Sequence, residues 1–216
     1  MNITHATNEE VVGDKLKAIF QRQAELMGKY HDIEKRSGLL QTEDCPVNLD
    51  DKRGQARIKD FSWRITEELG EALDAIHDEE HFLEELIDGL HFLTELTILA
   101  GMTPEQIVKN NELTDQDMLS MLTISEGRDV EGKNKVTLEE RVVILIRELG
   151  MMCNCLKNKP WKQTNMITDR NVFYKRLQNV WYSYIGILSM YMSSDDIANV
   201  YLKKSQVNKF RQRSGY

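Results

Sequence analysis

Residues 67–92 read EELGEALDAIHDEEHFLEELIDGLHF, and this stretch limits the possible folds more than any other. Leu69, Leu73 and Ile76 mark an apolar stripe on one helix, and Leu86, Ile87, Leu90 and Leu93 mark another on a second. The connection around His77–Glu80 is short, which makes the two helices antiparallel neighbours. Glu68 and Glu71 are three apart and share a helix face, as do Glu85 and Asp88. The second pair flanks its apolar stripe instead of lying opposite it, where solvated acids would sit. Across one seam the two pairs make four carboxylates at a common site. Such a group repels itself and is costly to bury without cations. Oxygen-only ligands suit a hard divalent ion, Mg²⁺ above all, and Mg²⁺ held this way serves phosphate chemistry. The competing reading is a solvated acidic face. Asp74 extends the Glu68–Glu71 row, whereas Glu67 and Glu84 are expected to rotate away.

The remainder of the 216 residues also reads as helix, with no useful run of strand alternation, so the expectation is an all-α bundle forming one domain over 1–216. Thr7-x-x-Glu10 is a capping box that opens a helix to about Ser37, which Gly38 stops. Residues 39–55 hold Pro46, Asp50, Asp51 and Gly54 and read as a loop. Helices follow over about 56–76 and 80–100, with Gly101 at the C′ position of the latter. Thr103-Pro104-Glu105-Gln106 starts another helix. Residues 125–136 read as an internal loop. Thr137-x-x-Glu140 caps a helix to about Lys157, Pro160 lies in the next break, and helices follow over about 169–192 and from Ser194 to near Phe210. Gly101–Ile107 echoes Tyr191–Ile197 faintly, which two independent caps explain.

Twenty-eight Lys and Arg stand against 35 Asp and Glu, a formal charge of −7, which argues against a general nucleic-acid binder. No apolar run is long enough to span a bilayer, and the N-terminus, polar and acidic, is neither signal nor transit peptide. The expected setting is therefore cytoplasmic, with Cys45, Cys153 and Cys155 as reduced thiols. On a helix, Cys153 and Cys155 face different directions, which disfavours a metal pair.

Two neighbouring patterns point elsewhere. His77-Asp78-Glu79-Glu80-His81 looks like a zinc-protease H-E-x-x-H, but its second position is Asp and it falls in the inter-helix turn. Asp88-x-x-His91 suggests the E-x-x-H of di-iron bundles, which needs a second copy that this sequence lacks. His91 is expected to be partly buried, orienting Asp88 or packing.

The C-terminus, YLKKSQVNKFRQRSGY, has five basic residues between Ile197 and Tyr216 and no acid. Lys204, Asn208 and Arg211 fall at i, i+4 and i+7, one face of a helix. Arg forks phosphate oxygens and Lys adds a point charge. An ordinary basic tail is the alternative. With E-E-L-G-E (67–71), E-L-I-D-G-L-H-F (85–92) and L-A-G-M-T-P-E-Q-I (99–107), this tail resembles the all-α dimeric dUTPases and related bacteriophage dCTP/dUTP pyrophosphatases, members of the MazG-like group. The resemblance implies a homodimer that hydrolyses a dNTP to the monophosphate and pyrophosphate. It implies two or more Mg²⁺ ions (Mn²⁺ as substitute) on Glu68, Glu71, Glu85 and Asp88, a C-terminal phosphate-binding helix and tail over 194–216, and triphosphate held by Lys204, Asn208 and Arg211. Glu71 is the carboxylate expected to take the proton from water, with Glu68 beside it as the other catalytic acid.

The same family reads the pyrimidine partly with amides on the first helix, which here points to Gln21 and Gln23. A Gln amide serves either uracil or cytosine depending on its flip, so it does not settle dUTP against dCTP; the resemblance implies dUTP, with dCTP open. The family's Asn a few residues later is replaced by Ala24, Glu25, Leu26 and Met27, and Glu25 could accept from a cytosine amino group or simply lie at the surface. Trp63 could stack on a base or fill the core. Two alternatives stand beside this reading: a MazG-like enzyme with broad or purine preference, and a non-catalytic helical interaction protein.

Overall fold

The computed structural model describes residues 11–108, 117–127 and 136–214. They form eight helices and no strand: α1 (Lys15–Ser37), α2 (Lys52–Asp74), α3 (Glu79–Leu99), α4 (Pro104–Ile107), α5 (Met118–Gly127), α6 (Leu138–Cys155), α7 (Arg170–Leu188) and α8 (Ser194–Arg213). The all-α expectation holds.

α2 and α3 form the antiparallel hairpin that their short connection demands, and α6 packs against α7. α3 is the central element, packed on α1, α2, α7 and α8. Leu86, Leu90, Leu93 and Leu96 on α3 are fully buried. They meet the α7 residues Leu177, Trp181 and Tyr184 in one continuous core. Trp181 stacks on Phe20 of α1 with ring centroids 5.8 Å apart, and its indole N–H donates to Thr97.

Several caps sit where the sequence puts them. Thr137 and Ser193 close capping boxes with Glu140 and Asp196, and the Thr103 N–H donates to the Gln106 side chain. Gly38 and Gly101 adopt φ of 74° and 75°, the left-handed geometry that ends α1 and α3.

Other boundaries move. α1 begins at Lys15, capped by Asp14, with residues 11–14 non-helical; Thr7 and Glu10 lie outside the described residues. The Asp14 carboxylate also accepts from the Met118 N–H at the start of α5, while Asp117 accepts from the Lys15 N–H. Each acid thus caps the other's helix, a tertiary exchange that no local signal announces. α2 starts at Lys52, inside the expected loop, because Asp51 accepts from the N–H groups of Arg53 and Gly54. Gly54 is in the first turn, not a linker: a Cβ there would lie 2.3 Å from the Asn48 carbonyl oxygen. Residues 125–127 finish α5 instead of opening a loop, α7 stops at Leu188, and α8 continues to Arg213. Leu73 near the end of α2 and Ile76 beyond it are exposed, so the apolar stripe ends at Leu69 and Ala72. His77 falls in the turn and Asp78 is the N-cap of α3, so H-D-E-E-H does not lie within one helix.

Candidate functional site

The α2–α3 hairpin carries the acids. Glu68, Glu85 and Asp88 are half-buried, and one carboxylate oxygen of each lies within 4.8 Å of the others. Glu71, one turn beyond Glu68, is exposed and outside this triplet. Its charge still reaches the group. Burial, then the charges of Asp88, Glu85 and Glu71, push the Glu68 carboxyl up to about 8. Burial also pushes Asp88 up, to about 6, against the pull of Lys204.

Lys204 comes from α8. It is nearly fully buried, and its ammonium lies 2.5 Å from Glu84 and 2.7 Å from Asp88. Burial works to lower its pKa, but the two carboxylates outweigh burial and raise it. The expectation that Glu84 turns away is therefore corrected. Asp88 sits three residues from Glu85 and four from Glu84, so it belongs to both rows, and the packing of α8 on α3 closes the second row with a cation. On the other side, the His81 imidazole bonds Glu85 at 2.7 Å.

Beside the acids lies a cavity of about 380 Å³, walled by α1, α2, α3 and α8. Glu68 and Asp88 form one end, Asn208 reaches it from α8, and Phe92 and Leu26 supply apolar wall. Gln23 is buried in it, and its amide oxygen accepts from the Tyr201 hydroxyl at 2.7 Å. That oxygen also lies 2.8 Å from His91 Nδ1, and the amide nitrogen donates to Glu95 at 2.9 Å. His91 therefore orients Gln23, not Asp88, and it stacks on Tyr201 with ring centroids 3.8 Å apart.

The cavity does not gather every expected residue. Gln21 is exposed, since two residues along a helix turn it away from Gln23. Trp63 is 62 % exposed, its indole N–H bonded to Glu67, so it is neither core nor cavity wall. The neighbouring Arg64 lines the cavity instead and covers the faces of Phe61 and Phe92. Glu25 is a surface ion-pair partner of Lys209. Arg211 is exposed near the end of α8, and Gly215 and Tyr216 lie outside the described residues. Glu95 and Tyr201, both buried at this site, were not singled out from the sequence; Asp88, His91 and Glu95 at i, i+3 and i+7 was the available signal.

Cys45, Cys153 and Cys155 are free thiols, and among the described residues no helix is long and apolar enough to cross a membrane. A family model described as dUTPase matches residues 15–216. No curated protein and no solved structure matches the chain.

Proposed function

Because the chain belongs to the dUTPase family, we propose that it hydrolyses a pyrimidine deoxynucleoside triphosphate, dUTP and also dCTP, to the monophosphate and pyrophosphate. The observation that carries this reading is the convergence of Glu68, Glu85 and Asp88 at the mouth of a cavity that also holds Gln23 and Asn208.

The acids fit a divalent cation. Their donor set is all oxygen, and burial, with the neighbouring carboxylates adding to it, drives Glu68 far above the usual carboxylate range, a strain that a cation relieves. Glu68, Glu85 and Asp88, with Glu71 one turn away, would hold Mg²⁺ or Mn²⁺. When bound, such ions acidify water and neutralise charge developing on phosphoryl oxygens.

The chain's own groups supply the rest. The oxygen of a water attacks the α-phosphorus, the bond from that phosphorus to the bridging oxygen breaks, and pyrophosphate leaves. Glu71, exposed one turn beyond Glu68, would accept the water's proton on a carboxylate oxygen. Lys204 would offer its ammonium to the phosphate chain, while Asn208 and Arg211 would bind outer oxygens. Phe92 and Leu26 exclude water from the nucleoside end. A homodimer belongs to the same proposal through the family resemblance.

The test is pyrophosphate release from each dNTP, with Mg²⁺ and with chelator. The reading requires dUTP or dCTP to lead and chelation or Glu68→Ala to stop turnover. Activity that survives either would overturn the metal-dependent mechanism. Faster turnover of dATP or dGTP would replace the pyrimidine reading with a broad one, and no turnover of any dNTP would favour an interaction protein.

A further inference from the structure

Beyond the acids and the phosphate-facing residues, the polar side chains that line the cavity with no part in the hydrolysis include Gln23, His91 and Glu95. Asp88, His91 and Glu95 rise along one face of α3, and at 1.5 Å per residue Glu95 lies about 10 Å beyond Asp88. That is about the length of a nucleoside monophosphate, so a nucleotide with its phosphates at the acids would bring its base to Glu95.

Hydrogen bonding fixes what each group can offer. Both lone pairs of the Gln23 amide oxygen are engaged, by the Tyr201 hydroxyl and by His91 Nδ1. The amide cannot flip, because that would set its oxygen against the Glu95 carboxylate. His91 therefore carries its proton on Nδ1, and burial with Lys204 nearby pushes its pKa down to about 3. Its Nε2 is then a bare lone pair, and that atom is buried without a hydrogen-bond partner. Gln23 keeps one spare N–H. Glu95 is only 5 % exposed, and the Gln23 N–H is its hydrogen bond from the described protein. Its pKa is pushed up to about 7, chiefly by burial, with Gln23, Arg57 and Arg64 pulling it down. A buried carboxylate with so few partners is costly unless a ligand supplies a donor.

Resting on the function proposed above, we propose that Glu95 is a specificity-determining residue that accepts a hydrogen bond from an N–H on the Watson–Crick edge of the pyrimidine, beside the spare N–H of Gln23. One acceptor next to one donor matches N3–H with a carbonyl in uracil, and the amino group with N3 in cytosine. This pairing accounts for use of both bases by one cavity.

The test is steady-state hydrolysis of dUTP, dCTP and N3-methyl-dUTP by wild type, Glu95→Leu and Glu95→Gln. Glu95→Leu should raise KM for dUTP and dCTP by about tenfold or more, the worth of one hydrogen bond to a charged group, with kcat within about threefold. Glu95→Gln keeps an acceptor oxygen and should recover part of the loss. N3-methyl-dUTP lacks the N–H and should be at least about tenfold poorer than dUTP for wild type, a penalty that shrinks in both variants. Should Glu95→Leu fail to fold, the methyl penalty in Glu95→Gln decides. Unchanged KM in folded Glu95→Leu, or equal use of N3-methyl-dUTP and dUTP by wild type, overturns this proposal while the function stands. Wild type that turns over neither pyrimidine nucleotide overturns both.

Discussion

The Lys204 ammonium lies 2.7 Å from the Asp88 carboxylate, so a residue of the basic C-terminal helix serves as counter-ion inside the acidic cluster. The acidic and basic parts of this chain are interlocked rather than set on opposite faces. Under the function proposed above, each cation bound at these acids must displace or coexist with this one, which would make Lys204 the contact between metal loading and phosphate binding.

Lys204→Met keeps the packing and removes the charge. It should lower stability by roughly 3 kcal/mol without metal, because Glu84 and Asp88 lose their buried partner. Mg²⁺ should bind at least as tightly, while nucleotide KM rises. Titration calorimetry with Mg²⁺ and steady-state kinetics check the two arms. A variant with normal KM would leave Lys204 as a counter-ion alone.

The carboxyl shifts set a pH dependence. Glu68 is pushed to about 8, Glu95 to about 7 and Asp88 to about 6, each above its ordinary value. Raised acids hold protons in the folded state that the unfolded chain has already released. Their contribution to stability is complete below the ordinary carboxylate range and is lost as pH rises through about 6 to 8. Metal-free protein should therefore melt at lower temperature as pH climbs through that window. Mg²⁺ replaces the protons, so its stabilisation should be larger at the alkaline end. Thermal unfolding across the window, with and without Mg²⁺, reads both effects; a metal-free Tm that rises with pH would contradict the assignment.

Gly89→Ala tests the packing under the site. A Cβ there would lie 2.1 Å from the hydroxyl oxygen of Tyr184, which is buried and donates to the Leu86 carbonyl. The ring is held on all sides and cannot yield as a flexible chain would. The expected cost is about 1–3 kcal/mol in chemical denaturation. Reduced turnover should accompany it, since Gly89 adjoins Asp88.

Gln21→Ala and Trp63→Ala should be nearly silent, with kcat/KM within about twofold of wild type and stability within about 0.5 kcal/mol. Both side chains are exposed and outside the cavity. A large rise in KM for either would return that residue to base recognition.

Much of the site was legible because helices convert spacing into direction. Glu68, Glu85 and Asp88 could be placed together from their three-residue spacings and one short turn, whereas Gln23 came with Gln21 only through the family resemblance. Trp63 and Gln21 mislead because residue type says what a side chain can do, while its rotation about the helix decides whether it meets the ligand. Glu84 was misjudged for a related reason: the second row of α3 has no meaning until another helix lies against it.

The amino-acid sequence alone determined the all-helical class, the capping boxes at Thr137 and Ser193, the left-handed stops at Gly38 and Gly101, and the pairing of acids on one hairpin. These are local properties, fixed by interactions within a few residues along the chain. Tertiary structure alone decided that Lys204 pairs with Asp88 across 116 positions, that Asp14 and Asp117 cap each other's helices, and that Tyr201 and His91 orient Gln23 toward Glu95. Those relationships join side chains far apart in sequence, and they exist only because α8 packs against both α1 and α3, and α5 packs against α1.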